Sequence, residues 1–486
     1  MLLFLALSGC TPEPDPVEAQ VIPQISAPRL LRRASLDLRG VLPSVAELDA
    51  AEAQPELVQE TLQQWLVEPA FQERLVLMLG EQWHTRVEAF PIEAWDYDLE
   101  DQEYAFERSV GEEPLRIAAH VVATGQPWSQ VVQAEYTLAN PMLQEIWGLE
   151  PLERGEGWVP ALYQDGRPHA GVLSTNGLWW RYDTDVSNMN RRRIAAISRL
   201  LVCHDILSRP VSLGESASED VENAVQTDPA CITCHAALDP AAAALFGFWT
   251  VIEYSEVEHA NYHPERELLY DRYLGVEPAW YGIPVSGPEA LGQAIAADPR
   301  FDDCAVERFS EALIRRPITR EEQASLGASY QGVVLEWLPE LLASPEYGAQ
   351  EVRLLTPQQL DSALLQATGF SWTQDGTPML DLDEGGLRQL TGGVDGEQVK
   401  GPQAVPGLTR SLVIQRLGER AARSAASQGP IDIAQWHWRL LAERPTPEEL
   451  QDLEALHAAV LAQSDTQSAD AAVLTVLMRD AAFEAY

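Results

Sequence analysis

One helical module is written three times along this chain, and the repetition constrains the fold more than any single motif. "LLRRASLDLRGVLPSVAELDA" (Leu30–Ala50) is followed by "LQQWLVEPAFQERL". "ALIRRPITREEQASL" (Ala312–Leu326) is followed by "VLEWLPELLASPEYG", and "WRLLAERPTPEELQDL" (Trp438–Leu453) by "VLTVLMRDAAFEAY". Each copy sets arginines near a proline, then Ser/Thr-x-x-Glu, then a helix ending in a small or acidic residue and an aromatic. The pairs Ser44/Glu47, Thr319/Glu322 and Thr446/Glu449 have the spacing of a capping box, in which a hydroxyl and a glutamate satisfy each other's orphan backbone N–H groups. Thr356/Gln359 adds a fourth. Elsewhere apolar residues fall three and four apart, as in Glu56–Leu66 and Arg191–Leu207, and no sustained alternation argues for a large sheet. The expectation is a mainly α, multidomain helical protein.

At 486 residues the chain exceeds what one hydrophobic core organises, and no apolar run approaches the ~18 residues of a spanning helix. The start differs from the rest. "MLLFLALSGC" runs apolar from Leu2 to Leu7 and reaches Cys10 through Ser8 and Gly9. This resembles the lipobox of bacterial lipoprotein signals, in which the cysteine is lipidated, although no basic residue precedes the run. The proline-bearing stretch behind it, with Pro12, Pro14, Pro16, Pro23 and Pro28, reads as an extended tether. Thr11 in place of aspartate implies, by the same resemblance, the outer membrane, on its periplasmic face or at the cell surface.

Charge is lopsided: 33 basic residues against 74 acidic ones give −41, and Lys400 is the sole lysine. Such a chain repels nucleic acid and anionic lipid, which excludes nucleic acid as a partner. It leaves solubility, or steering toward a partner with a basic surface.

Chemistry concentrates in "TDPACITCHAALDPAAAALFGFW" (Thr227–Trp249). Cys231-Ile-Thr-Cys234-His235 has the spacing of c-type haem attachment: two thiols meet two vinyl groups on one porphyrin edge, and the next histidine meets the iron from the same side. Two competing readings use the same residues. Zinc would need Cys203 and Cys304 to complete a set of four, and a bare Cys231–Cys234 disulfide would need no cofactor. With haem on Cys231 and Cys234 and lipid on Cys10, Cys203 and Cys304 remain as an even pair, which reads as a structural disulfide.

The same stretch resembles the planctomycete-type, cytochrome-c-like exported proteins, also common in myxobacteria. The match runs through Pro229, Cys231, Cys234, His235, Asp239, Pro240, Leu245 and Phe248. "FDDCAVERFSEALIRRPIT" is similar to the family's following segment and "RRRIAAISRLLVCHDILSRPV" to its preceding one. More loosely, the likeness extends over residues 30–325 and the C-terminal repeat. It implies one covalent haem c but names no substrate. Boundaries follow: a signal at 1–10, a tether at 11–28, a helical domain at 29–155, a cytochrome-c-like domain at 156–325 and a helical domain at 326–486.

His235 would fill one axial position of the iron. Met189, in the polar loop "DTDVSNMNRRR", is the first choice for the other, with Met142, His204 and His263 behind it. Trp179, Trp180, Phe246, Phe248 and Trp249 are candidates to wall a haem pocket, although fourteen tryptophans favour plain core packing for most. A weaker pattern sets Asp96, Asp98, Glu100 and Glu107 at calcium-loop spacing, with Asp101 where the loop needs glycine. The expected function is electron transfer by a lipid-anchored c-type cytochrome meeting a basic redox partner. Two alternatives stay open: a haem enzyme, peroxidase-like or an oxidase partner, and a non-redox surface lipoprotein with a disulfide at Cys231–Cys234.

Overall fold

The computed structural model describes residues 22–208, 229–249 and 261–486. Cys10, the signal at 1–10 and residues 11–21 of the tether lie outside the described residues. The chain is mainly helical. Among the described residues the first eight helices are α1 (Ala27–Leu38), α2 (Val45–Ala53), α3 (Val58–Trp65), α4 (Pro69–Trp83), α5 (Glu103–Ala123), α6 (Pro141–Trp147), α7 (Asn176–Arg181) and α8 (Arg191–Leu201). The Cys-x-x-Cys-His segment lies in α9 (Pro229–Ala243). After it come α10 (Leu269–Tyr273), α11 (Pro288–Ala296), α12 (Pro299–Ile314), α13 (Arg320–Leu326) and α14 (Val334–Leu342). The last six are α15 (Pro357–Thr368), α16 (Leu408–Ala426), α17 (Ile433–Leu441), α18 (Pro447–Leu461), α19 (Thr466–Leu477) and α20 (Ala481–Glu484). Strands β1 (Thr137–Ala139), β2 (Glu150–Pro151) and β3 (Val159–Leu162) form one antiparallel sheet in the order β1-β3-β2, with Thr137 opposite Ala161. Among the described residues no helix is long and apolar enough to cross a membrane.

All four Ser/Thr-x-x-Glu/Gln pairs close as capping boxes. Ser44, Thr319, Thr356 and Thr446 each accept from the backbone N–H three residues on, and Glu47, Glu322, Gln359 and Glu449 each accept from the cap's own N–H. The repeats also bond one another. Arg32, buried in the first copy, donates to the carbonyls of Leu440 (2.9 Å) and Phe483 (2.9 Å) in the third. Arg33 donates to Tyr347 (2.7 Å), which ends the second. Tyr347 and Tyr486, the terminal aromatics of copies two and three, both donate their hydroxyls to the Asp37 carboxylate. Buried charges are costly unless hydrogen-bonded, and here several members of the network are shared between modules.

Two main apolar cores flank α1. Leu31, Ala34 and Leu38 pack into one that reaches from α1 through α9 to Leu342 and Trp438. It draws on both sides of residues 155 and 325. Leu36 and Leu42 pack into the other, built from α15 to α20. A smaller cluster holds Val87, Phe106, Leu143 and Trp180.

One expected helix is shorter than its pattern. Periodicity extends to Leu207, but α8 stops at Leu201 because Cys203 takes a left-handed conformation (φ 49°) that the α-helix does not tolerate. Ser198 fixes the reversal: its hydroxyl donates to the His204 carbonyl (2.7 Å), and its carbonyl accepts from the His204 N–H (3.0 Å).

Candidate functional site

Helix α9 carries Cys231, Cys234 and His235 on about one turn and a half, so the helical repeat alone brings the three side chains near one another. Both cysteines are free thiols and half-buried. His235 and Asp239 stand four residues apart on the same face. The imidazole Nδ1 lies 3.0 Å from Asp239 Oδ1, which assigns that nitrogen as the donor and leaves Nε2 as the ring's remaining ligating atom. Asp239 also accepts from Arg191 Nε (2.6 Å) and Nη2 (3.2 Å) at the start of α8. Burial alone would raise the Asp239 carboxyl, but hydrogen bonds from His235 and Arg191 hold it below the usual carboxylate range.

A cleft of about 810 Å³ opens beside this pair, lined by His235, Asp239 and Arg191 together with Met189, Arg272 and Tyr273. That volume lies in the range of small-molecule and cofactor sites. Met189 is therefore brought to the same cleft as His235. Met142 packs instead beside the Val87–Trp180 cluster, His204 stands against Tyr281 (5.9 Å between rings), and His263 lies 3.2 Å from Glu265; none of the three lines the cleft.

The loop that presents Met189 is over-determined. Met189 (φ 51°) and Asn190 (φ 66°) are both left-handed, a conformation costing a non-glycine residue roughly 1–2 kcal/mol. Asp185 holds one side, its carboxylate accepting from the backbone N–H groups of Ser187 and Asn188 (2.7 Å each). Asn190 holds the other: its N–H donates to Thr184 Oγ1 (2.8 Å) and its amide to the Leu245 carbonyl (3.1 Å). Arg193 then donates to the Phe248 carbonyl (2.7 Å). Leu245 and Phe248, singled out in the sequence with the cysteines, thus tie the end of α9 to the Met189 loop.

The aromatic residues sit behind this arrangement. Trp179, Phe246, Phe248 and Trp249 are buried and do not line the cleft, and Trp180 belongs to the Val87–Trp180 cluster. Tyr273 does line it and packs edge-on against Trp249, with ring centroids 4.6 Å apart. Arg272 makes no ion pair among the described residues, so the cleft carries one unbalanced positive charge in a strongly acidic chain.

Cys203, just past α8, is joined by a disulfide to Cys304 in α12, across 101 positions of sequence. A four-cysteine zinc set is therefore not assembled. Among the described residues no three His, Cys, Asp or Glu side chains gather as metal ligands. Sequence reasoning missed Arg191, Asn190 and Arg272. Asp239 entered the sequence reading only as a motif residue; its four-residue spacing from His235 within a helix is the signal that could have found their contact, whereas the arginines are brought in by tertiary packing. No family model, curated protein or solved structure matches the chain.

Proposed function

We propose that the chain holds one covalent haem c on Cys231 and Cys234, that His235 and Met189 would ligate its iron, and that it works in electron transfer outside the cytoplasm. The observation that carries this reading is the convergence of His235 and Met189 on one cleft, together with two free thiols at attachment spacing on the helix that carries His235. The residues that line the cleft suit the group, while Cys231 and Cys234 stand on the same helix outside that lining. Asp239 fixes the imidazole tautomer, as carboxylates beside ligating histidines do, and Arg272 offers a charge partner for a propionate. When bound, the haem supplies a one-electron couple whose potential a thioether ligand raises. Residues 156–325 would then form the cytochrome-like part, between helical modules.

The Cys203–Cys304 disulfide suits an oxidising compartment, and lipidation at Cys10 would hold the protein to the outer membrane. Its acidic surface favours a redox partner with a basic face. The test is a pyridine haemochrome spectrum with haem staining, on protein co-expressed with a cytochrome c maturation system. The expected result is one covalent haem per chain that disappears in the Cys231→Ala/Cys234→Ala variant. Folded, exported protein without covalent haem would overturn the proposal.

A further inference from the structure

A second cleft, of about 610 Å³, lies between the start of α5 and the 375–384 segment. Seven carboxylates line it, among them Glu88, Glu103, Glu107 and Glu384, and no basic residue does. It shares no lining residue with the His235 cleft. Acidic side chains alone would be a solvated face, but Glu107 is largely buried where it meets this cleft. It is 9 % exposed, and among the described residues no donor bonds its carboxylate and no basic side chain pairs with it. The neighbouring Glu88, by contrast, is engaged. Glu88 accepts from the backbone N–H groups of Asp383 (2.7 Å) and Glu384 (2.8 Å) and stands 3.6 Å from both Arg108 and Arg388. A carboxylate so largely buried and without a protein partner gains most from a cation that enters the cleft to meet it.

We propose that this cleft binds a small organic polycation, a diamine or polyamine, with Glu107 as its most deeply buried anchor. A single metal ion fits poorly, because among the described residues no three carboxylates converge as ligands. Carboxylates spread along a groove suit a chain with separated ammonium groups, each offering two or three donors. The calcium-loop pattern in the sequence resolves accordingly. Glu100 and Glu107 do face one cleft, whereas Asp96 accepts from the Glu93 N–H and is absent from the lining.

The reading carries a proton signature. Burial pushes the Glu107 carboxyl up to about 7; Arg108 and Arg388 pull against this, while Glu88 and Glu103 add to it. Glu100, Asp101, Asp375 and Glu384 face the same cleft. An entering cation favours the ionised form, so binding near pH 7 should release protons, and binding well above pH 7 should not.

The experiment is isothermal titration of the folded chain with spermidine, in buffers of differing ionisation enthalpy at pH 7 and pH 8.5. Expected is one site per chain, proton release at pH 7 only, and affinity weakened about tenfold in Glu107→Gln. The exposed Glu454→Gln, outside the cleft, should change nothing. Should Glu107→Gln fail to fold, the wild-type proton release and a smaller loss in the exposed Glu103→Gln decide the matter. Absence of binding, equal weakening by Glu454→Gln, or binding without proton release at pH 7 would each overturn the proposal. So would tight calcium binding that excludes spermidine.

Discussion

Met189 sits in a conformation that its side chain does not favour, and this makes its backbone a measurable quantity. Ordinarily glycine is the less stable choice beside alanine, because it loses more chain entropy on folding. At φ 51° the order should reverse. In the protein without haem, Met189→Gly is expected to be more stable than Met189→Ala by about 1 kcal/mol, read by urea denaturation. Equal stabilities, or alanine ahead, would mean that the loop relaxes once the thioether is gone. Little of this was legible in sequence. The loop's polarity singled out Met189, but its left-handed turn depends on the Thr184 hydroxyl within the loop and on the carbonyls of Leu245 and Phe248, which arrive from distant positions. His235 and Asp239 were closer to legible, since helical spacing alone puts them on one face.

At the level of elements, the capping boxes were the most readable feature. Their geometry is local: four residues suffice, and no tertiary contact has to be guessed. Thr446→Ala removes the acceptor for the Glu449 N–H at the start of α18 and should cost about 1 kcal/mol in urea denaturation. A loss below a few tenths would show that water replaces the hydroxyl at this exposed end. The end of α8 was not readable in the same way. Its apolar pattern continues past the point where Cys203 turns the backbone, and that turn serves a bond to Cys304 far along the chain. Patterns of hydrophobicity report which face is buried, and they say little about where a covalent tie interrupts the helix.

Across the whole molecule, the repeat proved to be more than a series of good helix starts. Arg32, Arg33, Asp37, Tyr347 and Tyr486 bind the three copies together, and α1 contributes to both main cores. Sequence similarity among the copies was visible, but their mutual contacts were not, because residues hundreds of positions apart must meet to make them. The disulfide works at the same scale by shortening the unfolded chain. Replacing Cys203 and Cys304 with serine should lower stability by about 2–5 kcal/mol, with the chain-entropy model placing a loop of this length near the upper end. An unchanged denaturation midpoint would show that helix packing alone holds α8 to α12.

The same bond has a topological consequence. Residues 203–304 form a closed covalent ring, and Cys231, Cys234 and His235 lie within its circumference. A protease that nicks the backbone once inside this ring opens it without dividing the molecule. The two pieces would migrate as one species until a reductant is added, and the attachment segment would remain tethered to the rest of the chain throughout.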